Sequence, residues 1–308
     1  MGLLGAICSA VCSVGSAIGS AISGLASIAS SCLGSVMGMA AAIGKGILSG
    51  LAAAVGGLGP IVGGILAGLA MKFVGKIIAV LAKMLGLTEK EEKPEEVGYR
   101  LKEAQEHEDW KKREDFDTLE EYNEYLKDQI PEINREKLNK NFWECHALGT
   151  GFLYHEISTS TGMELPPEFA LLIGKNKISA EEVKLILDIF KKDGLKGKDI
   201  IEYFQKKWSI AATEDMREKL LDAYAEIQPD TPREELAARL DSISVSTSPD
   251  VFLKRYQKDF DTFKNGGQLK EVMMTQGFSE EKLNQTAQKV IALREEDWKR
   301  IAQQINKN

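Results

Sequence analysis

The chain has 308 residues, 44% of them hydrophobic and 28% charged, with a formal net charge of -7. That length allows about two domains, and the net acidity excludes a general nucleic-acid binder. The charge is uneven: residues 1–88 carry +4 and residues 89–308 carry -11. This excludes an evenly mixed soluble globule, and it excludes a polytopic transporter because the last 220 residues are too polar to span a bilayer.

Residues 1–88 contain no Asp, Glu, Arg or His, and hold 18 of the 28 glycines. Their only charges are Lys45, Lys72, Lys76 and Lys83, and their only aromatic is Phe73. The uncharged stretches 1–44 and 46–71 both exceed the roughly 20 residues a membrane helix needs. No short basic leader precedes them, which does not fit a simple secretory signal. Serines dilute the first stretch, so it would insert weakly by hydrophobicity alone. Cys8 and Cys12, one helical turn apart, read as small packing residues, and no cysteine pattern suggests a disulfide scaffold or a metal site.

The glycine spacing carries more information. Gly15/Gly19, Gly34/Gly38, Gly46/Gly50, Gly59/Gly63 and Gly64/Gly68 are each four apart, hence on one helical face. Such glycines let two helix backbones approach closely, which is how membrane helices associate without a hydrophobic driving force. Ser30-Ser31 and Gly56–Pro60 are the internal breaks. They predict a helical hairpin over about 3–45, a third segment to about 55 and a fourth from about 61 to 86. In that fourth segment Lys72, Lys76 and Lys83 share a face, predicting a basic amphipathic helix; with Lys45, these lysines are the expected contacts for lipid headgroups.

Residues 89–116 read as a charged hinge or helix, opening with Glu89-Lys90-Glu91-Glu92-Lys93-Pro94. Residues 117–308 read as an acidic, soluble domain of helices. Thr118/Glu121, Ser179/Glu182 and Thr231/Glu234 match capping boxes, and Pro232 and Pro249 sit where a helix can begin. Val183, Ile186, Leu187 and Phe190 follow helical spacing, as do Leu283, Ala287, Val290 and Ile291. The fold class is therefore all-α: glycine-, alanine- and serine-rich apolar hairpins, then a soluble multi-helix domain.

Chemistry is sparse. Glu144-Cys145-His146 and His155-Glu156 form the densest polar cluster, but nine residues place the two histidines on opposite faces, and Gly149 and Gly151 predict an interruption between them. These read as buried or interfacial polar residues. An EF-hand alignment on Gly194 puts Ile189 and Ile200 at ligand positions and fails. No phosphate-binding glycine loop, nucleophile elbow or zinc-protease motif is present. No enzyme activity, metal or cofactor is expected.

On its glycine spacing, the segment 1–88 resembles the glycine-zipper regions of membrane-inserting bacterial toxins and effectors, and in style the apolar N-termini of phage ejection proteins. The first resemblance implies a pore-forming or membrane-disrupting secreted effector. Its glycine-rich helices would insert and homo-oligomerise in a target-cell membrane, while the C-terminal helices would bind a chaperone, carrier or immunity protein. Two other expectations are an integral-membrane anchor with a cytosolic partner-binding domain, and a virion or injection-machine component forming a conduit.

Overall fold

The computed structural model describes the backbone of residues 3–259 and the side chains of 15–58 and 63–259. Among the described residues every regular element is helical. The helix expected around Leu283–Trp298 lies outside them.

Helix α1 (Leu3–Ser31) turns its apolar side, Ile18, Ala21, Leu25 and Ile28, inward, and leaves Ser16, Ser20, Ser23, Ser27 and Ser30 exposed. It ends at the predicted Ser30-Ser31 break. A turn through Gly34, whose φ of 80° favours glycine, leads to Ser35. Ser35 caps α2 (Val36–Val55) by accepting from the Gly38 N–H at 3.2 Å. A 3-10 turn over Gly56–Leu58 then reverses the chain into α3 (Gly59–Met84), with Pro60 in the first helical turn. Three helices thus stand where four were predicted. No break falls near 45, because Gly44-Lys45-Gly46 lies inside α2 with Gly44 packed against a neighbouring backbone.

In the segment read as a charged hinge or helix, Glu89–Glu91 and Lys93 are exposed and a packed helix follows. Pro94 starts α4 (Pro94–Gln105), whose Val97, Tyr99 and Leu101 are buried. A 3-10 turn at Arg113–Asp115 precedes α5 (Leu119–Gln129) and α6 (Arg135–Lys140). Next comes α7 (Phe142–Thr161), the pillar of the molecule, which touches α1, α2, α3, α4 and α6. Gly149 and Gly151 do not interrupt it. A Cβ on Gly151 would overlap the Ala40 carbonyl of α2, and one on Gly149 the Pro94 carbonyl of α4. Reciprocally, Gly44 fits against the Ala147 carbonyl and Gly98 against that of Cys145. Tertiary packing of an otherwise unfavourable residue outweighs the roughly 1 kcal/mol propensity cost of each glycine.

The remaining helices close the other side: α8 (Pro167–Asn176), α9 (Ala180–Lys192), α10 (Gly197–Phe204), α11 (Ile210–Ile227), α12 (Arg233–Ser242) and α13 (Pro249–Arg255). The capping boxes at Thr118/Glu121 and Ser179/Glu182 form as predicted, and Val183, Ile186, Leu187 and Phe190 are all buried. The third box does not form. Helix α12 begins at Arg233, one residue later, and Arg233 ties that turn to Asp222 and Glu218 of α11 at 2.7 Å each. One continuous apolar core runs from Ile18 to Tyr256. The compositional boundary at residue 88 is therefore not a boundary in packing: α2 and α3 lie between α7 on one side and α8 on the other.

Candidate functional site

The seam where the glycine-rich apolar helices meet the charged body is where the two compositions touch, and each apolar helix is fastened there by polar groups of α4, α7 or the segment between α4 and α5. On α1, the Gln105 side-chain amide donates to Ser31 Oγ at 3.4 Å and to Cys32 Sγ at 3.1 Å. The Glu144 carboxylate lies against Gly24 and pairs with Lys102 at 2.7 Å. On α2, the first N–H, that of Val36, donates to Glu114 Oε1 at 3.0 Å. A carboxylate there satisfies an orphan donor and complements the positive end of the helix dipole. On α3, His146 Nε2 lies 3.2 Å from the Met71 carbonyl, and Nδ1 lies 3.1 Å from Glu95 Oε2.

Helix α3 accommodates His146 because residue 75 is glycine. A Cβ there would overlap the imidazole and approach Thr150 Oγ1 to 2.9 Å. The ring is only 4% exposed. Burial works to raise the Glu95 carboxyl, but the hydrogen bond and charge of His146 outweigh it and hold Glu95 below its ordinary 4.5, with a smaller contribution from Lys72. The segment carrying Glu114 is itself pinned by Arg113, which donates to both oxygens of Glu156 at 3.1 and 2.9 Å and to the Phe116 carbonyl at 2.8 Å. Beside it opens a cleft of about 630 Å³ lined by Cys32, Met37, Gln105, Trp110 and Glu114, among others.

The zipper glycines are placed as follows. Gly15 and Gly64 meet where α1 crosses α3, a Cβ on Gly64 falling 3.4 Å from the Gly15 nitrogen. Gly34 forms the α1–α2 turn, and Gly38 sits over the Cys32 carbonyl. Gly46 and Gly50 face Pro167 and Leu171 of α8. Gly63 faces the Val55 carbonyl, and Gly68 faces the Trp143 indole, to which a Cβ at that position would come within 2.8 Å. Gly19 is exposed with open space beyond it. Gly59 lies among the residues whose side-chain surroundings are not described.

The lysines differ from the expected basic amphipathic face. Helix α3 is covered on nearly all sides, leaving Lys76, Lys83 and Met84 exposed along one edge. Lys72 lies 5.1 Å from the centroid of the Phe142 ring, and Lys45 is half-buried. The residues that sequence reasoning passed over are Gly44, Gly75, Gly98, Gly149 and Gly151. Their signal was present as small residues four apart in Ala40/Gly44, Cys145/Gly149 and Ala147/Gly151. In the polar half, that spacing was taken for helix breaking.

Two members of the polar cluster of α7 have partners in other elements. His146 faces α3, Glu156 binds Arg113, and both are buried. Burial pushes the Cys145 thiol up to about 12, making it a poor nucleophile at neutral pH. Among the described residues no three His, Cys, Asp or Glu side chains converge as metal ligands. No protein-family model matches the chain, and no similarity to a curated protein or to a solved structure was found.

Proposed function

We propose that the protein is a membrane-inserting, pore-forming effector that stores its membrane segments inside its own helical body. The observation that carries this reading is the α2–α3 hairpin. Its arms, Val36–Leu58 and Gly63–Met84, are each long and apolar enough to cross a membrane, and the 3-10 turn Gly56–Leu58 ends the first, with four residues before the second begins. Helix α1 adds a third, weaker segment. Two of its exposed hydroxyls bond their own backbone, Ser23 to Gly19 O at 3.1 Å and Ser30 to Ala26 O at 2.9 Å, which lowers their cost in an apolar phase.

In this reading the acidic helices act as an internal sheath that keeps the hairpin soluble. On release the hairpin enters the target membrane, where its backbone groups remain satisfied within each helix. Exposed glycines such as Gly19 then become contacts between copies. The competing reading is a permanently soluble body, favoured by the 78% burial of the Gly63–Met84 window. An ordinary core helix of a soluble protein has the same burial.

Dye and ion release from vesicles of phosphatidylcholine and phosphatidylglycerol, measured with the full chain, separates these. Release that rises with protein concentration more steeply than linearly supports an oligomeric pore. Tight vesicle binding without release supports an anchor with a partner-binding body. Absence of both supports the permanently soluble body and refutes the pore.

A further inference from the structure

The fastening of α3 differs from those of α1 and α2 in one respect: it sets a buried imidazole against a carboxyl, the Glu95 side chain being 23% exposed. His146 Nε2 faces the Met71 carbonyl, which can only accept, so Nε2 carries a hydrogen. Nδ1 faces the Glu95 carboxyl. One further proton is therefore shared between His146 and Glu95. With it the pair has no net charge, either as imidazolium and carboxylate or as imidazole and carboxylic acid. Both hydrogen bonds are kept, the second as Nδ1–H to carboxylate or as acid O–H to Nδ1, and α3, α4 and α7 are joined through one side chain.

A second proton destroys that balance. It leaves an imidazolium beside a neutral acid, in a site where the ring is 4% exposed. The charge facing the pair from α3 is Lys72, which is also positive and acts on Glu95. On α7 the neighbouring Glu144 is already paired with Lys102 of α4. Further along α4, Glu96 pairs with Arg135 and Glu103 with Lys137 of α6. Helices α1 and α2 offer no carboxylate at all. No spare negative charge in these elements replaces Glu95, and a buried charge without a partner is strongly destabilising.

We propose that the Glu95–His146 pair is an acid-released catch on α3, closed while the two groups share one proton and opened when Glu95 is protonated as well. The proposal rests on the reading of the α2–α3 hairpin as a membrane-inserting element, and it names the trigger for that insertion. Three features place the catch at a useful point. It grips Met71, near the middle of the more apolar of the two membrane-length arms. It holds that arm to α4 and α7, the charged body rather than another apolar helix. And Gly75 is required for its geometry, since any side chain there would displace the imidazole. The direction of the Glu95 shift fixes the sign. A carboxyl held below its ordinary value contributes stability above about pH 4.5, and that contribution disappears as pH falls through the lowered value.

The test is hydrogen–deuterium exchange of α3, with α9 and α11 as internal references, at pH 7 and at stepped pH down to 3.5. Rates are corrected for the intrinsic pH dependence of exchange. In the wild-type protein, α3 protection is expected to fall at least tenfold on acidification before α9 and α11 respond. Glu95→Gln, whose amide donates to Nδ1 as the carboxylic acid does, is expected to keep α3 protected at pH 7 and to lose that protection at a higher pH than the wild type, because an imidazolium then has no carboxylate to balance it. Glu103→Gln removes a carboxylate from the same helix without touching α3, and is expected to keep the wild-type profile. Should Glu95→Gln unfold globally, the double variant Glu95→Gln/His146→Gln supplies an uncharged pair at the same place, and its α3 is expected to show no acid step. An acid step in Glu95→Gln at the wild-type pH, or one that persists in the double variant, overturns the catch. Vesicle leakage is read in parallel. If α3 loosens in acid without leakage, the catch stands and the insertion reading falls.

Discussion

Gly19 and Gly151 are both glycines inside a helix, yet alanine should act on them in opposite directions. Nothing lies within 4 Å of a Cβ built on Gly19, whereas one on Gly151 overlaps the α2 backbone at Ala40. Gly19→Ala is expected to stabilise the protein by about 0.5–1 kcal/mol, because alanine loses less backbone freedom in a helix. Gly151→Ala is expected to destabilise it by about 1–3 kcal/mol, because α2 and α7 must move apart. Chemical denaturation of both variants checks the signs. Equal effects at the two positions would show that the α2–α7 crossing tolerates a methyl group. The same scale governs Glu156. Its side chain is 9% exposed and holds Arg113 bidentately, so Glu156→Gln should cost about 3–5 kcal/mol by leaving a buried guanidinium without its partner charge. A urea-midpoint shift below 1 kcal/mol would place the pair in solvent.

At the scale of elements, most of the helices in the described part were legible in the sequence, and the reasons differ from helix to helix. Capping boxes at Thr118 and Ser179 and the periodicity of Val183 to Phe190 are local signals, and they give α5 and α9. The Gly56–Pro60 break is local too, since glycine and proline act on their own backbone. What escaped was set by contacts distant in sequence. Gly149 and Gly151 look like helix breakers until the α2 and α4 backbones are laid against them. Lys72, Lys76 and Lys83 look like a lipid-facing stripe until α7, α8 and α9 cover the rest of α3. The seam was half visible. Glu144, Cys145, His146 and Glu156 stood out as a cluster, but their partners Lys102, Glu95 and Arg113 are 42, 51 and 43 residues away and carry no motif. The glycine pairs were legible as close-packing positions. In this state most of them pack within the chain, as where Gly15 meets Gly64.

For the whole molecule, the shared core has a direct consequence. Residues 89–308 alone would expose the α7 face that carries Ala147 and Gly151, together with the apolar sides of α8 and α9 that cover α3. That fragment is expected to lose its cooperative thermal transition and to bind a hydrophobic dye, although its composition is that of a soluble protein. A sharp unfolding transition at the full chain's temperature would show two separable domains. Function has to be tested in the full chain, with a change that the soluble body tolerates and a membrane does not. Ala42 supplies it: the residue is exposed in the body, yet lies within the apolar arm Val36–Leu58. Aspartate there faces water in the folded chain but opposes insertion, by up to the roughly 2.5–3.5 kcal/mol of a charge at the centre of a membrane helix. The decisive measurement is leakage from anionic vesicles by the wild-type protein and by Ala42→Asp, with thermal stability recorded for both. The account predicts nearly equal stability and at least a tenfold loss of leakage in the variant; equal leakage from the two proteins would contradict it, because α2 would then not enter the membrane.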